Sequence, residues 1–292
     1  MYYLMTMLTS AGILMIAGTG ALLSIRCGAM NLGGEGQIYA GGFAGCAVLV
    51  YVQGPSPLVF ALALAASLAS GSLLGLLSAL LWEKRGAQPL LTSFIISAAV
   101  IPLIDGFISA SKNTSATNML ALPYISEVYR MPKISLVLCP LFCIAARLFL
   151  YRTYSGRKMS LWGKAPEFAS YCGFASSPYT YSSLAVSGAL HALAGFTAVC
   201  MTYFTCHKGF YLGTGWNALS AALLSSGNPL MLIPSSLFLA WLYTFADRIS
   251  LMNGFGFDIG GIIQGIVLFA ISVFSVRSIS QNSSGPAARW MA

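Results

Sequence analysis

Apolar residues in this chain come in long runs, and polar residues gather in the short gaps between them. A helix that crosses a bilayer needs about 20 consecutive apolar residues. Laid along the chain, that length marks nine candidate spans, at 4–25, 36–53, 57–81, 89–110, 133–150, 179–206, 212–226, 229–246 and 259–276, with an error of about one. The seventh is short and flanked by glycine, which predicts a half-helix or re-entrant piece. Lipid permits such a piece only where protein or a cavity supplies hydrogen-bond partners. The expected fold is all-α: a polytopic membrane helix bundle of about 8–10 transmembrane segments, including broken or re-entrant helices. Residues 1–280 would form one transmembrane domain and 281–292 a disordered tail.

The longest polar interruption is 151–177, which carries Arg152, Arg157, Lys158 and Lys164 against the single acid Glu167. Short basic loops are retained in the cytoplasm. If this loop is cytoplasmic and all nine spans cross, the N-terminus lies outside and the C-terminus inside. Ten of the 15 Lys and Arg then fall inside (Arg26, Lys84, Arg85, Arg147, Arg152, Arg157, Lys158, Lys164, Arg277 and Arg289), and five fall outside (Lys112, Arg130, Lys133, Lys208 and Arg248). The bias has the expected sign. The other long polar segment, 111–132, reads as a solvated connector or as a docking surface for an external protein.

Composition agrees with the membrane reading and narrows the alternatives. Of the 292 residues, 57% are hydrophobic and only 8% charged, against about 25% charged in soluble domains. The net charge of +8 follows from basic-loop retention, and no basic stripe interleaved with aromatics points to nucleic acid. The seven cysteines are odd in number and lie mostly inside apolar runs, as small buried hydrophobes do. No basic flank precedes the first apolar run, so it reads as a first span and not as a cleaved signal. The chain has no P-loop, CxxC or HExxH motif and two histidines, so neither ATP binding nor a metal or other cofactor is expected.

Two stretches carry candidate chemistry. In Asn31-Leu-Gly-Gly-Glu35-Gly-Gln37 an acid and two amides sit among glycines between two spans. Glycine permits an irregular backbone at a helix break, and a carboxylate at membrane depth is costly enough to be a site candidate. Glu35 could line a path, or it could be a buried structural acid satisfied by backbone N–H groups at the break. The second stretch runs from Gly213-Thr-Gly215-Trp216-Asn217 to Gly227-Asn228-Pro229 and reads as a short helix broken at both ends, or as an ordinary hairpin turn. Asn31, Glu35, Gln37, Trp216, Asn217 and Asn228 are the candidate pathway residues. Ser187 and His191, one helical turn apart, could suggest a nucleophile and a base. No acid lies nearby to orient the histidine, and the surrounding small residues read as a packing face. Asp105, Asp247 and Asp258 read as interfacial acids. Small residues four apart, at Gly41/Gly45, Gly71/Gly75, Gly188/Ala192 and Gly261/Gly265, predict close helix packing.

The segment GAMNLGGEGQI at 28–38 resembles the Asn-Ile-Gly-x-Glu-Gly-Gln signature of permease subunits of bacterial ATP-binding-cassette importers, in the branched-chain amino acid and ribose superfamily. The nucleoside and riboflavin branch, which pairs with basic-membrane-protein lipoproteins, is the most similar. Gly156, Gly163, Pro166, Ala169, Tyr171 and Gly173 match that family's coupling segment, followed by Ser187-Gly-Ala189 and Gly195. GTGWNALSAALLSSGNP and Ile262-Ile-Gln264-Gly265 match its later helices. Ser160, Ala165 and Gln88-Pro89 depart from the pattern. The resemblance implies a non-enzymatic subunit of the inner membrane that moves a small solute, a nucleoside or riboflavin before a sugar. It also implies separate cytoplasmic ATP-binding subunits, a second permease, homologous or identical, and an external substrate-binding protein of the lipoprotein kind. Gly156, Gly163, Pro166, Glu167, Ala169 and Gly173 would meet the ATPase subunits, through a short helix within 163–173. An ion-coupled secondary transporter remains the alternative, with an intramembrane enzyme behind it.

Overall fold

The computed structural model describes residues 2–111, 113–114, 118–174, 177–253 and 260–270. Asp258, Arg277, Arg289, Lys112, the ends of the ninth candidate span and the tail 281–292 lie outside the described residues. The chain resolves into two compact units, 1–241 and 242–292.

The described secondary structure is helical, as the apolar runs predict. The helices are α1 (Tyr2–Arg26), α2 (Gly34–Tyr51), α3 (Ser56–Arg85), α4 (Pro89–Ser111), α5 (Cys139–Arg152), α6 (Tyr154–Lys164), α7 (Pro166–Tyr171), α8 (Ser177–Ala198), α9 (Thr214–Leu224) and α10 (Leu232–Asn253). A further helix, α11, covers Gly260–Ala270 in the second unit. Every candidate span finds a helix at its place. Among the described residues, five stretches are long and apolar enough to cross a membrane by themselves: Tyr3–Arg26, Ser56–Arg85, Pro89–Ser111, Glu127–Arg152 and Pro178–Tyr203. At 11 residues α9 is about 16 Å long, half of a ~30 Å hydrocarbon core. It is therefore the half-helix that its flanking glycines predict.

Helix ends follow local chemistry. The left-handed Gly28 closes α1, with the Ala29 N–H reaching back to the Ser24 carbonyl, and Gly86 closes α3 in the same conformation. α8 ends in a π-turn, Val199–Tyr203, where Phe204 N–H bonds the Val199 carbonyl.

α2, α3 and α8 form the tightest part of the first unit, and small residues are the reason. A Cβ added at Gly71 would strike the Gly188 carbonyl, one at Gly75 the Leu184 carbonyl, one at Gly41 Ala192, and one at Gly195 the Ile38 carbonyl. Lipid gives helices no hydrophobic reason to associate, so this close approach supplies the packing energy. The pair Gly261/Gly265 differs: a Cβ at Gly265 meets open space.

One end of the first unit gathers Arg26, Arg147, Arg152 and the helices α6 and α7. The opposite end holds a two-stranded hairpin, β1 (Asn113–Thr114) with β2 (Leu120–Ala121). The segment 111–132 is more than a connector, because Ala121 bridges to His207 and Leu122 N–H bonds the Cys206 carbonyl. Met131 N–H likewise bonds the Cys200 carbonyl, so the segment is laced to the end of α8. The cysteines behave as expected with one exception: six are buried, and Cys172 is exposed beside α7.

Candidate functional site

The two suspect stretches meet. After α1 the chain runs back beside α8 as the irregular segment 27–33 before α2 starts. Beyond the π-turn, 204–213 runs back beside α2 before α9 starts. Phe210 lies over Gly42, Tyr211 against Tyr39 at 4.5 Å between ring centroids, and Gly215 against Gly34 and Glu35. The N-termini of α2 and α9 thus face one another inside the bundle.

Glu35 joins them. It stands in the first turn of α2, and its Oε1 accepts hydrogen bonds from Gly215 N–H at 2.7 Å and Trp216 N–H at 3.1 Å, at the first turn of α9. A helix N-terminus leaves its first N–H groups unpaired and carries partial positive charge. One carboxylate therefore offsets two such ends. Gly215 permits the approach, since a Cβ there would collide with the Glu35 backbone, and Gly213 turns the chain in the left-handed conformation at φ 77°.

The freed backbone of 31–36 is satisfied from within the fold. Asn31 Oδ1 accepts from Gly33 N–H at 2.9 Å, an Asx-type turn. Its Nδ2 donates to Gln37 Oε1 and to Ser187 Oγ, each at 2.9 Å. From α4, Ser93 Oγ accepts Leu32 N–H at 2.9 Å and Ser97 Oγ accepts Gly36 N–H at 2.7 Å. These two serines were missed at the sequence level. Their one signal there is a four-residue spacing on an apolar helix. Ser187 is an acceptor for Asn31, and the fully buried His191 ring lies against Gly34, so the pair forms part of this support.

The six pathway candidates divide. Glu35, Trp216 and Asn217 lie half-buried at the junction, with Trp216 6.3 Å from the Phe94 ring of α4 and Asn217 Oδ1 buried without a partner among the described residues. Asn31 and Gln37 are buried supports beneath it. Asn228 lies elsewhere: its Oδ1 accepts from Arg147 Nη1 at 3.2 Å at the basic end and caps the α9–α10 turn through Leu230 N–H. It was grouped with the others because it closes the same sequence motif, but α9 carries it a half-helix away.

The expected coupling segment holds two helices, α6 and α7, and α7 lies where a short helix within 163–173 is expected. Thr153 caps α6 by accepting Gly156 N–H, and the chain breaks at Ala165 before α7. Gly156 packs on the Phe149 carbonyl and Gly163 on the backbone of Arg26 to Gly28, while Ala169 is fully buried. These three face their own chain. Pro166, Glu167 and Gly173 are exposed, as are Phe168 and Tyr171, the latter at 91%. Lys158 is cradled between the Tyr154 and Phe174 rings at 4.1 and 4.3 Å, and Arg26 donates to the Tyr151 hydroxyl at 3.0 Å.

The family model for the branched-chain amino acid transport system permease component matches residues 3–272. A probable riboflavin import permease protein of Treponema pallidum is 30% identical over 280 residues, covering 92% of this chain and 74% of that protein. A guanosine ABC transporter permease protein of Bacillus subtilis is 20% identical, covering 90% and 79%. A putative glucose ABC transporter permease protein of Haloferax volcanii is 26% identical, covering 84% and 75%.

Proposed function

The chain belongs to the family of branched-chain amino acid transport system permease components, the permeases of ABC importers, and we propose that it is one permease half of an importer for riboflavin or a similar planar, hydroxylated solute such as a nucleoside. The observation that carries this reading is the meeting of the α2 and α9 N-termini at Glu35. Broken helices that meet inside a membrane bundle, with their polar ends toward a cavity, are how transporters build a site within lipid. The riboflavin relative favours a flavin, and the guanosine relative supports the nucleoside reading.

In this reading the basic end is cytoplasmic, the hairpin end is external, and the membrane is the bacterial inner membrane. Separate ATP-binding subunits dock on α7 through Glu167, Phe168 and Tyr171. A second permease, identical or homologous, faces the half-exposed side of the Glu35 junction. A substrate-binding protein of the lipoprotein kind delivers solute at the hairpin end.

The chain's own contacts supply a route for coupling. Gly163 of α6 sits on the backbone of Arg26 to Gly28, and that backbone continues directly through 27–33 to Glu35. A displacement of α6 and α7 by the ATPase subunits moves the segment that leads into α2, and Glu35 passes the movement to α9. Coupling over such a distance needs an element with two discrete arrangements, and the irregular 27–33 stretch provides one.

The test is uptake of labelled riboflavin, guanosine and glucose by vesicles holding the complete complex, with and without ATP inside. ATP-dependent accumulation of riboflavin or guanosine supports the reading. Uptake that proceeds without ATP and follows an imposed ion gradient refutes it.

A further inference from the structure

Asp105 reads from the sequence as an interfacial acid, yet its side chain does not simply point at solvent. It is half-buried, and the Tyr39 hydroxyl of α2 donates to its Oδ1 at 2.5 Å. Among the described residues nothing donates to its Oδ2. Tyr39 stands one helical turn beyond Glu35 on the same face of α2, and its ring leans on Tyr211, in the segment that leads into α9. On α4, Phe94, Ala98, Ile101 and Asp105 follow one another at spacings of four, three and four, so they share a stripe. That stripe is exposed at Phe94 and Ala98 and half-exposed at Ile101 and Asp105. It runs along the junction: Phe94 meets Trp216, whose backbone N–H bonds Glu35, and Asp105 meets Tyr39, which leans on Tyr211. The eleven steps along the helix from Phe94 to Asp105 span about 16 Å.

The stripe is chemically graded. At the Glu35 end the Phe94 and Trp216 rings lie 6.3 Å apart, tilted by 56°, an aromatic surface for a flat ring. At the other end the carboxylate of Asp105 accepts hydrogen bonds and cannot donate them while ionised. An ionisable group inside a membrane bundle is costly and is retained where it serves a ligand or a path. We infer that Asp105, set by Tyr39, is a specificity-determining acceptor on the transport path that binds the hydroxyl groups of a neutral solute whose planar ring lies toward Phe94 and Trp216. This inference rests on the transport reading above. It adds which part of the solute is read, and where.

A site built to accept from a substrate hydroxyl rejects an analogue that lacks it far more strongly than an apolar pocket rejects a missing methylene. The purified complex of permease and ATPase subunits, without its binding protein, is titrated with two matched pairs. These are riboflavin with lumiflavin, which lacks the hydroxylated chain, and guanosine with guanine. The wild-type complex should prefer the hydroxylated member of at least one pair by about tenfold or more. Asp105→Ala should abolish that preference and leave affinity for the bare ring within about twofold. Asp105→Asn should fall between them, and Tyr39→Phe, which leaves the carboxylate in place, should keep most of the preference. A purely structural bridge predicts instead that Tyr39→Phe and Asp105→Ala lower the melting temperature of the complex alike and leave the preference intact, and that result overturns the inference. A complex that transports riboflavin or guanosine but binds both members of each pair equally overturns it alone. A complex that neither binds nor transports any of the four overturns the transport reading along with it.

Discussion

The body of α2 and the stretch that leads into it are held differently. From Gly41 onward the helix is packed by glycines that leave no room for a Cβ, with Gly41 on the Ala192 backbone, Gly42 on the Phe210 ring and Gly45 on the Phe196 ring. Before Gly34 the same stretch of chain is irregular. There and in the first turn of α2, where Gly36 and Gly215 also make close contacts, the chain relies on single hydrogen bonds with Asn31, Ser93 and Ser97 and on one carboxylate that reaches across to α9. Steric interlock of this kind breaks all at once, whereas a hydrogen bond nets only about 0.5–1.5 kcal/mol and can be exchanged. The difference points to where rearrangement costs least: the clamped body of α2 is the stiffer part, a frame, and the hydrogen-bonded lead-in is the part expected to give way first.

The largest effect should come from attacking the frame. Gly71→Leu or Gly195→Leu drives a side chain into a backbone carbonyl, at or beyond the upper end of the ~1–3 kcal/mol typical of overpacking. Neither variant should yield a folded, monodisperse protein in detergent, while Gly265→Leu, whose side chain meets open space, should behave as wild type. Equal behaviour of Gly71→Leu and Gly265→Leu in thermal unfolding would contradict the steric clamp of the frame.

Next come the two variants of the junction. Glu35→Ala leaves the Gly215 and Trp216 N–H groups unpaired, at about 1–3 kcal/mol for each buried donor. It should lower the melting temperature and stop uptake. Glu35→Gln keeps an acceptor and should fold, but with the charge facing both helix ends removed.

A smaller effect is expected at the partner surface. Phe168→Ala with Tyr171→Ala should weaken retention of the ATPase subunits by about tenfold, as loss of exposed aromatic anchors does, and leave the permease's own melting unchanged. Gly163→Glu is a poor probe of docking, because it damages the contact with Arg26 to Gly28 first. The smallest effect belongs to Asn228→Ala, whose bonds to Arg147 and Leu230 lie at an exposed end. Uptake should stay within about twofold of wild type, in line with less than 1 kcal/mol for an exposed polar pair. A large loss there would return Asn228 to the pathway.

Much of this was legible in the sequence, for physical reasons. Lipid demands apolar runs of fixed length and helices that satisfy their own backbones, so the order of the spans could be read directly, as could the shortness of α9 between its glycines. Glu35 was legible as a choice between path and structural acid, and the hydrogen bonds from α9 supply the backbone partners that the structural reading asks for. That they come from residues 180 positions away was not legible. The supporting serines of α4 and the Tyr39–Asp105 bond were hidden for the same reason: periodicity describes one helix at a time, and these contacts join two. The coupling glycines misled in a related way. A glycine signals close approach but does not say to whom, and Gly156 and Gly163 approach their own chain.

The central claim is that Glu35 couples the N-termini of α2 and α9 in a transport path, and the most direct measurement is ATP-driven riboflavin uptake by reconstituted Glu35→Gln complex beside wild type, with subunit content measured on the same vesicles. The account predicts a fully assembled complex whose uptake falls by about tenfold or more, the loss of a charge-assisted hydrogen bond being about 1.5–3 kcal/mol. An assembled Glu35→Gln complex that accumulates riboflavin at the wild-type rate would contradict it.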